Sequence, residues 1–145
     1  MNLNVKMFDE LTTEELYEIL KLRSQVFVVE QKCNYLDMDD ADKGACHVFY
    51  TDEDGIQAYL RVLDKGVGAE HVRIGRVISV KRRCGMGTSL VKEGIKAAVD
   101  KFGADTVFVE AQCYVKDIYA KLGFVQKSDE FLDVGIPHVK MEIKV

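Results

Sequence analysis

The residues best suited to chemistry surround a glycine-rich turn in the middle of the chain. A β-branched run ends near Val80 and is followed by Arg82, Arg83, Cys84, Gly85, Met86, Gly87 and Thr88, and then by a helical pattern. A helix start presents unpaired N–H groups and partial positive charge, and glycines let a ligand approach the backbone. Arginine adds charged donors beside them. The spacing predicts that residues 82–88 bind a phosphate or diphosphate group.

Two common phosphate-binding motifs do not fit this turn. A nucleoside-triphosphate loop has a lysine and then serine or threonine after its last glycine, whereas Thr88 follows Gly87 directly. A dinucleotide fold needs a third glycine where Leu90 stands, and it also needs alternating strands and helices. The remaining pattern is Arg82-x-x-Gly85-x-Gly87.

The elements that would position this turn are a strand before it and a long helix after it. Residues 72–80 favour a strand, and apolar positions from Leu90 to Phe102 lie on one helical face that Gly103 ends. Upstream we expect a strand at 3–8, followed by a helix that begins at the capping box of Thr12 and Glu15 and extends to Phe27. Arg23 lies on the apolar face of this helix. A hairpin over 45–63, with its turn at 52–55, comes next. Downstream we expect a strand at 106–110, a short helix at 115–122 and a strand at 139–143. This order predicts a mixed α+β fold, as one domain spanning residues 1–145.

Composition narrows the function classes. The net charge of −4 disfavours a nucleic-acid partner. No signal-peptide-like or membrane-length apolar run occurs, so we expect a cytoplasmic protein without a membrane partner. The four cysteines form no CxxC pair and predict no metal site. Cys46 and His47 are adjacent on a strand and would point to opposite faces. The oligomeric state, including a homodimer, stays open.

The pattern Arg82-x-x-Gly85-x-Gly87 resembles the pyrophosphate loop of the GNAT superfamily of N-acetyltransferases. Most of the chain is also similar to the ElaA-type branch of that superfamily. The matching blocks are Leu22-Arg23, residues 26–31, Cys33, Tyr35, Asp37, Asp39, Asp42, His47, residues 74–77, Ala111-Gln112, Tyr119, Gly123-Phe124, residues 135–138 and Met141.

This resemblance implies a mostly antiparallel mixed sheet, splayed near its middle and flanked by helices, with acetyl-CoA as the acyl donor. The pantetheine arm would lie in the opening and contact Val77, Ile78 and Ser79. The stretch between Arg76 and Arg82 is shorter than is usual in this branch, which affects the register of those contacts. The acceptor would be a small-molecule or peptide amine, attacking directly in a ternary complex. The alternative is a non-catalytic acyl-CoA binding or sensing module.

Acetyl transfer to an amine requires a base for the amine proton and an acid for the departing thiolate. Tyr119 matches the tyrosine that acts as general acid in many superfamily members, and Tyr114 is an alternative on the same segment. The leading base is Glu30, because the apolar run before it could raise the pKa of a carboxylate. Glu30 could instead pair with Arg23, seven residues earlier on the same helix. His47 and His138 are alternative bases, and Cys33 or Cys84 could act as a nucleophile instead. The acidic run at 37–42 could attract a cationic amine to the site.

Overall fold

The computed structural model describes residues 1–81 and 85–145. In these ranges eight strands form one sheet in the order β1-β2-β3-β4-β5-β8-β6, with β7 also paired to β8. The strands are β1 (Asn2–Met7), β2 (Cys46–Asp52), β3 (Gly55–Leu63), β4 (Val72–Ser79), β5 (Thr106–Gln112), β6 (Val125–Gln126), β7 (Phe131–Asp133) and β8 (Ile136–Lys144). Only the β4–β5 pair among them is parallel. The predicted mixed, mostly antiparallel sheet is therefore confirmed.

Three α-helices flank the sheet in the described part of the chain: α1 (Thr13–Arg23), α2 (Met86–Phe102) and α3 (Lys116–Lys121). The capping box that begins α1 forms as predicted, because Thr12 accepts from the backbone N–H of Glu15 at 3.0 Å while Glu15 accepts from that of Thr12 at 2.9 Å. Gly103, in the left-handed conformation, ends α2. None of the described helices is long and apolar enough to cross a membrane.

Helix α2 packs closely on the middle of the sheet. Its buried residues Leu90, Val91, Gly94, Ala97 and Ala98 join a core formed with apolar residues of β2, β3, β4, β5 and β8. A Cβ atom at Gly94 would meet methyl groups of Leu60 and Ile74 at 3.0 and 3.1 Å. This close packing of α2 on β3 and β4 fixes the position of the first turn of α2 relative to the end of β4.

Several predicted boundaries were wrong. The helix predicted to reach Phe27 is α-helical only to Arg23 and continues as a π-helical segment, Ser24–Glu30. The last strand begins at Ile136 instead of residue 139, and the short strands β6 and β7 were missed. A strand of two or three residues carries no alternation that sequence periodicity could detect.

Candidate active site

The sheet opens between β4 and β5. The two strands pair only at Val72 with Val107 and at Arg73 with Phe108, and no pairing between them continues along the described residues beyond that point. On its other side β4 stays paired with β3, but the register shifts so that Arg76 and Val77 lie opposite the single residue Leu60. Arg76 has a φ of 53° at this bulge. Bulges bend a strand and increase its local twist, so this one accounts for the divergence of β4 from β5.

The first of two cavities at this opening, here called the glycine-turn cavity, has a volume of about 750 Å³. Every described residue that the sequence predicted to contact the cofactor lines it: Val77, Ile78, Ser79, Gly85, Met86, Gly87 and Thr88. Arg82, Arg83 and Cys84, the other predicted contacts, lie outside the described residues. Glu30, Tyr114 and Tyr119 line the same cavity, so the structure brings the predicted cofactor and catalytic residues together.

The start of α2 lines this cavity and supplies backbone donors there. Gly85 is the residue before the helix and has a φ of 76°, which favours glycine. The first backbone bond of the helix runs from the N–H of Ser89 to the carbonyl of Gly85 at 3.1 Å. The N–H groups of the preceding residues, Met86 to Thr88, have no acceptor within the helix. Among the described residues, a Cβ atom at Gly87 would meet only Ser79 Cβ, at 3.8 Å.

The second cavity, here called the arginine cavity, has a volume of about 540 Å³ and is also lined by Tyr119. Its charged lining residues are Asp39, Arg61, Arg73, Arg76, Glu110 and Asp133. The two cavities share five lining residues: Phe27, Gln31, Val77, Gln112 and Tyr119. The two cavities therefore adjoin at these five residues, here called the shared wall.

Tyr119 is held at that wall by α3. Its ring is 8% exposed and packs edge-on against Phe124, with the ring centroids 5.5 Å apart. Burial, with a smaller contribution from Tyr114, raises the pKa of Tyr119 to about 12. Its hydroxyl has no hydrogen-bond partner among the described residues. The only enclosed side-chain nitrogen or oxygen without a partner in that part of the chain is Arg61 Nε. The Tyr119 hydroxyl is consequently accessible from cavity space and is protonated at neutral pH.

Glu30 lies in surroundings different from those predicted. It is exposed, and the preceding Val29 is 66% exposed, so the apolar surroundings expected for this carboxylate are absent. The predicted alternative, an ion pair with Arg23, is also wrong. Arg23 instead donates from Nε to Asp37 at 2.9 Å and from Nη1 to Asp42 at 2.6 Å. The π-helical turn after Arg23 changes the helical spacing on which that pairing depended.

A buried ionic network joins the acidic loop to the sheet. Arg61 donates to Asp39 at 2.7 and 2.8 Å and to Asp42 at 3.0 Å, and Arg76 donates to Asp37 at 2.8 Å. With Arg23, the network contains three arginines and three aspartates, so its formal charge is zero. Asp37 and Asp42 are each 7% exposed. The charges of the acidic run are thus largely neutralised, against the expectation that they attract a cationic amine.

The histidines proposed as alternative bases have different surroundings. His47 is fully buried, and both ring nitrogens have partners: Nδ1 is 2.8 Å from the Tyr59 hydroxyl, and Nε2 is 3.1 Å from the Asp42 carbonyl. Burial lowers the pKa of His47. His138 lines the arginine cavity, and its Nδ1 is 2.7 Å from the carbonyl oxygen of Ile136. His47 is therefore enclosed with both ring nitrogens hydrogen-bonded, which indicates a structural role, whereas His138 faces a cavity.

The cysteines and acidic residues form no metal centre in the described ranges. No group of three or more His, Cys, Asp or Glu side chains there is arranged to hold a metal ion. Cys33 is buried and its Sγ lies 3.5 and 3.7 Å from the carbonyl oxygens of Gln31 and Val134. Burial raises the pKa of Cys46 to about 11. Cys84, the other predicted nucleophile, lies outside the described residues.

Comparisons with known proteins agree with this geometry. A family model described as an acetyltransferase (GNAT) domain matches residues 9–145. An acyl-CoA N-acyltransferase structure from Pseudomonas aeruginosa superposes with a TM-score of 0.89 and 34% identity, covering 98% of this chain and 99% of that one. The structure of ElaA from Escherichia coli gives a TM-score of 0.89 and 30% identity, covering 97% of each chain. A UPF0039 protein of Mycobacterium tuberculosis is 41% identical over 136 residues, which are 91% of this chain and 86% of that protein.

Proposed function

The chain belongs to the GNAT acetyltransferase family, and we propose that it moves the acetyl group of acetyl-CoA onto a primary amine by direct attack in a ternary complex. The observation that carries this proposal is the pair of cavities that meet at Tyr119 in the opening between β4 and β5. A donor in one cavity and an acceptor in the other would bring the thioester and the amine together without a covalent enzyme intermediate.

The donor side of the proposal rests on backbone groups. Acetyl-CoA would place its diphosphate on the N–H groups at the start of α2, near Gly85, Gly87 and Thr88, because a helix start is suited to anions. The amides of its pantetheine arm would pair with β4 at Val77, Ile78 and Ser79, whose edge toward β5 has no strand partner in the described structure. Arg82, Arg83 and Cys84 remain predicted contacts of the same diphosphate.

The chemical step follows from the two cavities. The amine nitrogen attacks the thioester carbonyl carbon to form the C–N bond, and the tetrahedral intermediate collapses by breaking the C–S bond. The CoA thiolate takes a proton from the Tyr119 hydroxyl, which lies at the shared wall and stays protonated because its pKa is about 12. The proton of the attacking amine passes to a base, and Glu30 is the base predicted from the sequence.

The deciding experiment is an acceptor panel. Purified protein is mixed with acetyl-CoA and, in separate reactions, with small amines, polyamines, amino acids and peptides with free N-termini, and thiol release and acceptor mass are followed. We expect thiol release that depends on the acceptor, with a gain of one acetyl group in the product. Binding of CoA by calorimetry without turnover on any amine would favour the non-catalytic acyl-CoA module. Absence of CoA binding by the folded protein would refute both.

A further inference from the structure

His138 lines the arginine cavity and has no role yet in the proposed reaction, in which Tyr119 is the acid and other residues bind the donor. It lies on β8, directly opposite Gln112 of β5. Directly paired residues of an antiparallel ladder project to the same face of the sheet, so His138 and Gln112 lie side by side. Gln112 belongs to the wall that both cavities share with Tyr119. His138 is thereby adjacent to the wall where the proposed acceptor amine must meet the thioester.

The hydrogen bonding of His138 leaves one ring nitrogen available. A carbonyl oxygen can only accept a hydrogen bond, so the 2.7 Å contact with Ile136 requires Nδ1 to carry the proton. In the neutral ring the lone pair then lies on Nε2. No described residue partners Nε2, and Nε2 is not among the enclosed, unpartnered atoms, so it is accessible from the cavity. Stacking on Phe131, with centroids 6.0 Å apart, fixes the ring plane.

The other groups facing this cavity are less suited to accept a proton. The charged ones are Asp39, Arg61, Arg73, Arg76, Glu110 and Asp133. Asp39 is paired with Arg61 at 2.7 Å, and Glu110 with Arg73 at 3.3 Å. Tyr35 and Tyr119 also line the cavity, and Lys140 lies two residues along β8, above the Phe131 ring. Carboxylates and guanidinium groups do not titrate near neutral pH in their ordinary state, whereas imidazole does.

We propose that His138 is the general base of the acetyl transfer, accepting at Nε2 the proton that the amine nitrogen loses as it bonds to the acetyl carbon. This proposal rests on the proposed function. The amine nitrogen becomes positively charged in the tetrahedral intermediate, and its N–H proton passes to Nε2, directly or through one water. The CoA thiolate takes its proton from Tyr119. The imidazolium then returns its proton to solvent, and Tyr119 is reprotonated from solvent.

The test uses a substitution that distinguishes the roles of the two ring nitrogens of His138. In His138→Asn, the side-chain amide can still donate to the Ile136 carbonyl from about the position of Nδ1, but nothing remains at Nε2. His138→Gln is the second variant, should the first not fold. His71→Asn is the matched control, because His71 lines neither cavity. The measurements are kcat on an amine accepted by the wild type, CoA affinity by calorimetry and thermal unfolding.

We expect His138→Asn to keep its CoA affinity and thermal stability and to lose about 10²-fold in kcat near pH 8, a typical contribution of a general base. The ratio of wild-type to variant kcat cancels the ionisation of the acceptor, which is common to both. That ratio should fall in acid, where a protonated imidazole can no longer accept the amine proton. A structural role for His138 would instead leave the ratio constant with pH.

Three results would overturn the proposal. One is a folded His138→Asn variant with wild-type kcat. Another is a reduced kcat whose ratio to the wild type does not change with pH. The third is a Glu30→Gln variant that shows the whole pH-dependent loss while His138→Asn does not. If the wild-type protein transfers acetyl groups to amines in any of these cases, the proposed function stands and only the base is misassigned. If it acetylates no amine, both proposals fail.

Discussion

The substitution Tyr119→Phe tests the acid assignment with the least disturbance of the fold. The ring is buried against Phe124, and its hydroxyl has no hydrogen-bond partner among the described residues. Phenylalanine keeps the ring and its packing and removes only that oxygen. Because no buried partner loses its bond, the free energy of unfolding should change by less than about 0.5 kcal/mol.

The expected effect on catalysis is much larger. With a pKa of about 12, the Tyr119 phenol is ionised in only about one molecule in 10⁵ at pH 7, so the acid is available in nearly every turnover. Removing a positioned general acid typically lowers the rate by a factor of about 10² or more, which is about 2.7 kcal/mol in activation free energy. Water can still protonate the thiolate, so we expect the lower end of that range.

The assay follows thiol release at saturating acetyl-CoA and acceptor, and calorimetry measures CoA affinity. Tyr17→Phe is the matched control, because Tyr17 is 66% exposed on α1 and lines neither cavity. We expect Tyr119→Phe alone to lose kcat, with CoA affinity nearly unchanged. A kcat equal to that of the wild type would refute the acid assignment. An equal loss of CoA affinity and of kcat/KM would make Tyr119 a binding residue instead.

Three further predictions concern the turn, the ionic network and a strained hairpin. Gly87→Ile should fold normally, since a Cβ atom there meets only Ser79 Cβ, at 3.8 Å, among the described residues. It should weaken CoA binding at least about tenfold by calorimetry, because its side chain occupies the space proposed for the diphosphate. Asp42→Asn should lower the free energy of urea unfolding at pH 7 by roughly 3–5 kcal/mol, because Arg23 and Arg61 both lose the buried carboxylate with which they form ion pairs. Burial alone would raise the pKa of Asp42, but Arg23 and Arg61 hold it below its ordinary value, so this contribution is present at neutral pH and is lost as the pH falls below about 4; a difference from wild type that grew in acid would contradict the reasoning. Val134 is β-branched and has a φ of 47° in the turn before β8, so Val134→Asn should raise the free energy of unfolding by about 1 kcal/mol, and a decrease would show that the turn is not strained.

Local signals made the main elements predictable. The start of α1 follows from the side chains of Thr12 and Glu15 and from backbone groups within three residues of each other. The β2–β3 hairpin follows from Gly55, whose φ is 107°, and the end of α2 from Gly103. Each depends on conformational preferences that do not need the rest of the fold. For the same reason the glycine turn could be placed between β4 and α2 from the sequence.

The ionic network could not be predicted in the same way, because it joins residues far apart in sequence. Arg76 meets Asp37 across 39 positions, and Arg61 meets Asp39 across 22. From the sequence, the acidic run at 37–42 resembles an exposed loop, since isolated aspartates are rarely buried. The available signal was Arg23 on the apolar face of α1, which requires a buried acidic partner. That signal indicates a partner without saying which carboxylate it is.

The network and the opening of the sheet are parts of one arrangement. Arg76 adopts left-handed backbone geometry at the bulge that turns β4 away from β5, a conformation unfavourable for a residue with a Cβ atom. Its guanidinium is fixed by Asp37 at 2.8 Å and by the Tyr35 ring, whose centroid is 5.6 Å away. Asp37 in turn is held by Arg23 from α1. The acidic loop therefore braces the bulge, and the cavities that meet at Tyr119 depend on ion pairs that do not themselves touch the proposed donor.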